Sequence, residues 1–165
     1  MTPAVRAARE KLKSLTPLKR DCGRICGAAC CRSHEGEETG MLLFPGEEDL
    51  YTEKPGWTIR ETAMGPMAIC PGRCERDERP LACRLFPMLP AVTEDGEVRA
   101  SVDLRAKAVC PLARQGRTAM DPAFAEAVRE AGIILAGERE QAAFLKRVQE
   151  EQEELKRLRK ALGGG

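Results

Sequence analysis

The sequence is poor in the groups from which most sites and cores are built. It has one histidine in 165 residues. Aromatic residues make up only 4%, namely four Phe, one Trp and one Tyr, so the large side chains that dominate most cores are scarce. Charge of one sign is missing too: 27 Lys and Arg against 26 Asp and Glu give a formal net charge of +1. A dedicated nucleic-acid binder carries a clear basic excess, so nucleic acid is not an expected partner. No apolar run reaches the roughly 18 residues of a membrane span, and no membrane partner is expected. The N-terminus, MTPAVRAAREKLKSL, lacks the apolar stretch of a secretory signal, and a cytoplasmic location is the expectation. There is no Ser-His-Asp set and no phosphate-binding glycine motif.

What the sequence does have is cysteine. The eight are Cys22, Cys26, Cys30, Cys31, Cys70, Cys74, Cys83 and Cys110. Reducing compartments disfavour structural disulfides, and clustered thiols there read as metal ligands or redox groups. If the first cluster is helical, Cys22, Cys26 and Cys30 share one face, with Cβ atoms about 5–6 Å apart, and Cys31 points elsewhere. Cys70 and Cys110 each precede a proline, which fixes the chain just after the ligand. Structural zinc takes four thiolate or imidazole ligands, and an iron–sulfur cluster is usually held by four cysteines. Eight thiolates therefore fill two mononuclear sites, one cluster plus one zinc, or a single polynuclear site. All eight are candidate metal ligands. His34 is a further candidate, set against its reading as a solvated residue of a polar loop.

The rest of the chain divides by composition into three stretches. Residues 1–20 form a basic helical segment of net charge +5, with Thr2 as N-cap, Pro3 at N1 and Val5, Ala8, Leu12 and Leu15 as an apolar stripe. Residues 21–120 form the cysteine-cluster domain. Within it, Met41 to Phe44 and Thr58 to Thr62 read as short strands. Glu47-Glu48-Asp49 reads as an acidic helix start. Residues 91–104 read as a hairpin turning at Asp95-Gly96. Residues 121–165 form a C-terminal helical segment. Asp121 and Pro122 open one helix, which Gly132 and Gly137 loosen or end. Residues 138–162 form another, with Phe144, Val148, Glu151, Leu155, Leu158 and Leu162 in a heptad-like pattern broken by Glu151. That stripe packs onto its own domain or forms a homodimer. The expected fold is mainly α with a small β-hairpin: an irregular, metal-stabilised cysteine-cluster domain plus C-terminal helices.

Cys22-x3-Cys26-x3-Cys30-Cys31, Cys70-x3-Cys74 and Arg79-Pro80-Leu81-Ala82-Cys83-Arg84-Leu85-Phe86-Pro87 together make a distinctive set. Over residues 20–112 the chain resembles the YkgJ-like cysteine-cluster family of zinc- or iron-chelating domains. Leu43 to Leu50 fits that family's turn and acidic helix start. The first element departs from the family pattern, with spacings of three and three instead of two and two. Some relatives resemble lysine N-methylases acting on flagellin, but these are much longer. The resemblance implies metal chelation, with zinc or iron as cofactor, an iron–sulfur cluster included. Arg84, beside Cys83, is the candidate cofactor-binding residue, since a guanidinium offsets the excess negative charge of several thiolates. Arg79 reads as a surface residue paired with nearby acids, and Phe86 as core.

The resulting expectation is a metal-binding cysteine-cluster protein, its metals holding the fold and serving storage, delivery or sensing. Two alternatives stand beside it: an iron or iron–sulfur enzyme of redox or group-transfer chemistry, and a helical interaction module on a metal-stabilised scaffold.

Overall fold

Thr2 begins the fold as expected. Its hydroxyl accepts from the Val5 amide at 3.4 Å and Pro3 follows at N1, opening helix α1 (Pro3–Lys11). The computed structural model describes residues 1–32, 40–72 and 74–163. Helix α2 (Gly23–Cys26) follows. Strands β1 (Gly40–Leu42), β2 (Thr58–Thr62) and β3 (Gly65–Ile69) form one antiparallel sheet in the order β1-β3-β2. Then come α3 (Leu81–Leu85), the antiparallel pair β4 (Met88–Val92) and β5 (Val98–Val102), α4 (Pro111–Gln115), α5 (Pro122–Ala136) and α6 (Arg139–Ala161). About 50% of the chain is helical and 15% strand. The expected hairpin is present, with Gly96 at φ +80° in its turn. The three-stranded sheet is more β structure than the sequence reading allowed. Strand β3, Gly-Pro-Met-Ala-Ile, went unread because a glycine and a proline open it.

One apolar core draws on all three stretches of the sequence. Val5, Ala8 and Leu12 of the N-terminal stretch meet Leu81, Leu85 and Met88, then Phe124, Val128, Leu135 and Phe144. Helix α1 stops at Lys11, short of Thr16-Pro17, because Arg76 reaches its end: the guanidinium donates to Leu12 O at 2.9 Å, Lys13 O at 2.7 Å and Leu15 O. These contacts satisfy carbonyls that the helix end leaves without partners.

Asp121 caps α5 as expected, its carboxylate accepting from the Ala123 amide at 2.9 Å. Gly132 does not loosen that helix. It is buried inside it, and a Cβ there would stand 2.5 Å from Pro90 Cβ and 2.7 Å from Val98 Cγ1. The missing side chain lets α5 lie directly on the β4–β5 pair. Helix α6 packs its first half on its own domain. Phe144, Leu145 and Val148 are buried, and the Phe44 and Phe144 rings lie 4.8 Å apart. Glu151 breaks the heptad for a reason: it pairs with Arg105 at 2.8 Å, while the neighbouring Gln152 donates to Asp103 and accepts from the Leu104 amide. The last turns present Leu158 and Leu162 to solvent.

The acidic run after Pro45-Gly46 begins only a 3₁₀ turn, Glu48–Leu50. Glu47 is completely buried and does not serve a helix dipole. Its carboxylate accepts from Arg9, from the Phe44 amide at 3.1 Å and from the Leu81 amide at 3.0 Å. This one group joins α1, the β1 exit and the start of α3.

Candidate metal centre

The first cysteine cluster does not form one continuous helical face. Gly27 and Ala28 both turn left-handed, at φ +62° and +56°, and end α2 after a single turn. Cys22 and Cys26 keep helical spacing, with the Cys26 thiol 3.6 Å from the Cys22 carbonyl. Cys30 and Cys31 sit in a separate 3₁₀ turn, Ala29–Cys31. Their sulfurs are 3.9 Å apart, within hydrogen-bond reach for sulfur.

Cys30, Cys31, Cys70, Cys74 and Cys83 border a single small cavity of about 60 Å³, together with Trp57, Arg79 and Phe86. They arrive from the 3₁₀ turn, from the exit of β3 and from α3. Trp57 stacks at 4.7 Å on buried Tyr51, which closes that wall. Phe86 is half-buried, on the cavity border and packed against a small buried cluster. Cys22, Cys26 and Cys110 do not border this cavity. Cys110 is buried against Ala106 and Ala113, with Phe86 packed beside them. All eight cysteines are free. His34 lies outside the described residues.

Electrostatics separates the thiols further. The hydrogen bond between Cys30 and Cys31 lowers Cys31 from about 9 to about 6, helped by the Arg79 charge and opposed by burial. The same bond, then burial and the charges of Cys31, Cys22 and Cys26, pushes Cys30 strongly up. Burial raises Cys83, with Cys74, Cys31 and Cys70 adding to it. Burial raises Cys22, with Cys26, Asp21 and Cys110 adding to it.

Neither arginine stands where the sequence reading put it. Arg84 is buried and spends its guanidinium on backbone carbonyls: Asp77 O at 2.8 Å, Arg79 O at 3.2 Å and Arg9 O at 3.4 Å. It holds the turn before α3 and does not border the thiol cavity. Arg79 does border it, with Cys74, Cys31 and Cys83 as its charge partners. Arg79 Nε is buried with no hydrogen-bond partner. A capping box between Glu75 and Glu78 and the grip of Arg84 set the chain so that Arg79 faces inward. Sequence reasoning missed Arg79 because the acids beside it looked like ready surface partners. Glu78 pairs with Lys54 at 2.7 Å instead.

The donor set suits a soft or borderline metal: free thiols, a cation to offset their charge and an unpartnered N–H beside them. Among the described residues, however, no group of three or more His, Cys, Asp or Glu stands in an arrangement that could itself hold a metal ion. The thiols border the cavity without converging in it. A second, larger cavity of about 540 Å³ adjoins the first and shares Cys30, Met41 and Phe86 with it. Its walls are mostly apolar, including Leu42, Met64, Met88 and Val148, and the Asp103–Arg105–Glu151 ion pairs lie on its border.

Compared with family models, curated proteins and solved structures, the chain matches none. Among the described residues, no helix is long and apolar enough to cross a membrane.

Proposed function

We propose that this chain is a cysteine-cluster metal chelator of the YkgJ-like kind. It binds zinc or iron, and the metals hold the cysteine-bearing half together and serve storage, delivery or sensing. One observation carries the reading: five free thiols from three separate parts of the chain border one cavity. The core beside them is small, consisting of Leu43, Tyr51, Trp57 and Ala68, with Cys70 and Cys74 packed on it. Metal–thiolate bonds supply the stability that such a core lacks. Binding requires the thiols to turn into the cavity and give up their protons. A cytoplasmic setting, where thiols stay reduced, suits eight free cysteines.

The test is metal content per chain on anaerobically purified protein, with an absorption spectrum of the same sample. Zinc in a colourless protein, or iron with acid-labile sulfide in a brown one, supports the reading and names the metal. Folded protein without metal overturns it.

The larger cavity favours a second reading, an iron or iron–sulfur enzyme. Its volume falls within the roughly 300–1,000 Å³ of small-molecule pockets, and Cys30 borders both spaces. A redox-active iron centre whose spectrum changes with added small molecules would favour this reading, and a zinc-only protein would exclude it. The exposed Leu158 and Leu162 support a homodimer through the end of α6, which light scattering tests directly.

A further inference from the structure

We infer that the pocket between α1 and α3 is a binding site for a small phosphorylated molecule, with the Arg9 and Arg84 guanidinium groups receiving the phosphate. Among the described residues no cysteine borders this pocket. The inference goes beyond the metal-chelating reading and does not depend on it.

Two like charges are held together here. Arg9 Nη2 and Arg84 Nη2 donate to one acceptor, Asp77 O, at 3.0 and 2.8 Å. Arg9 pairs with Glu47, which is wholly buried and does not border the pocket. Arg84 is only 6% exposed and bonds to backbone carbonyls alone, so among the described residues it has no carboxylate partner. A buried cation without an opposite charge is costly, and an anion in the pocket offsets that cost. A guanidinium carries five N–H donors. Arg9 makes three hydrogen bonds and Arg84 three, so both keep donors for a ligand.

The border of the pocket sets the charge of the ligand. Arg6 and Lys13 add two exposed cations to Arg9 and Arg84. Arg6, Arg9 and Glu10 share one face of α1 at helical spacing, and Lys13 follows its end, which gives the basic N-terminal stretch a use. Glu10 and Asp77 oppose them on the same border, with Glu10 drawn to Lys13 at 3.3 Å. Four cations against two carboxylates leave an excess of two positive charges. A phosphate monoester carries about −1.5 to −2 at pH 7 and offers three strong acceptor oxygens, which arginine forks match. The pocket volume is about 260 Å³. That is just below the roughly 300–1,000 Å³ of drug-sized ligand pockets, and it suits a phosphate on a small organic group.

The experiment is calorimetric titration of the full chain at low salt with glycerol phosphate, inorganic phosphate and acetate. The parent is expected to bind one glycerol phosphate, to bind inorganic phosphate more weakly and to ignore acetate. Arg84→Lys keeps the charge and loses the fork, and should weaken glycerol phosphate by about 10-fold, the loss of one charge-assisted hydrogen bond. Arg6→Gln with Lys13→Gln alters only exposed side chains, which guards against variants that fail to fold, and should weaken it by a similar factor. Lys146→Gln with Lys156→Gln removes the same charge from exposed positions on α6 and should change nothing. A parent that binds no glycerol phosphate overturns the inference, as does equal affinity for inorganic phosphate or acetate. Binding that survives both pocket variants, or falls equally in the α6 variant, places the phosphate elsewhere and overturns it too.

Discussion

Arg9 Nη1 lies 2.7 Å from Glu47 Oε1, and the Glu47 side chain is wholly buried. The pair joins the N-terminal helix to the cysteine-bearing half. Arg9 also donates to Asp77 O at 3.0 Å, in the turn that precedes Arg79. The Arg9–Glu47 contact thus helps to set the wall of the thiol cavity.

Glu47→Ala leaves the Arg9 charge and the Phe44 and Leu81 amides without their acceptor. Breaking a buried pair by removing one partner costs about 3–5 kcal/mol, and a loss of that size is expected. Urea denaturation measures it. A variant as stable as the parent would show that the carboxylate is not the joint.

Gly132→Ala is expected to destabilise, although alanine is the better helix former by about 1 kcal/mol. The added methyl would meet Pro90 and Val98 at 2.5 and 2.7 Å, and overpacking of this kind costs about 1–3 kcal/mol. A thermal midpoint above the parent's would overturn the close packing of α5 on the β4–β5 pair.

In metal-free protein, Cys31 is the expected first site of alkylation. The thiolate is the reactive form. Since Cys31 is lowered to about 6 and Cys30 is raised, the Cys31 rate should climb through pH 6 and level off by about pH 8. Cys30→Ala removes the hydrogen-bonding partner and should move the midpoint upward. Iodoacetamide labelling with peptide mapping reads both effects; a parent midpoint near 9 would contradict the pairing.

Stripping the metal should loosen only part of the molecule. The main core of α1, α5 and the β4–β5 pair contains no cysteine among its buried residues. Hydrogen exchange should therefore accelerate at residues 22–31 and 70–83 and stay slow in α5 and β4. The single Trp, Trp57, borders the thiol cavity, so its fluorescence should change on metal removal. Unfolding of the whole chain at once would show a single cooperative unit instead.

Some of this was legible in the sequence, because it depends on neighbours only a few residues apart. Thr2 and Asp121 cap helices that their own side chains start. Asp95-Gly96 turns a hairpin because glycine accepts a positive φ. The cysteines themselves announce thiol chemistry in any fold.

Other features arise only when distant segments meet. Whether Gly132 weakens a helix or permits a close approach depends on Pro90 and Val98, which no local pattern contains. Glu47 reads as a helix-start acid until Arg9 and Leu81 surround it. Arg79 and Arg84 flank one short element and look equivalent in one dimension. The tertiary structure separates them, because a guanidinium goes where unpaired carbonyls or thiols await it. The sequence alone determined that this protein carries thiols and where its local turns and caps fall. Only the folded chain decided which thiols share a cavity and which arginine faces them, since those outcomes depend on long-range packing.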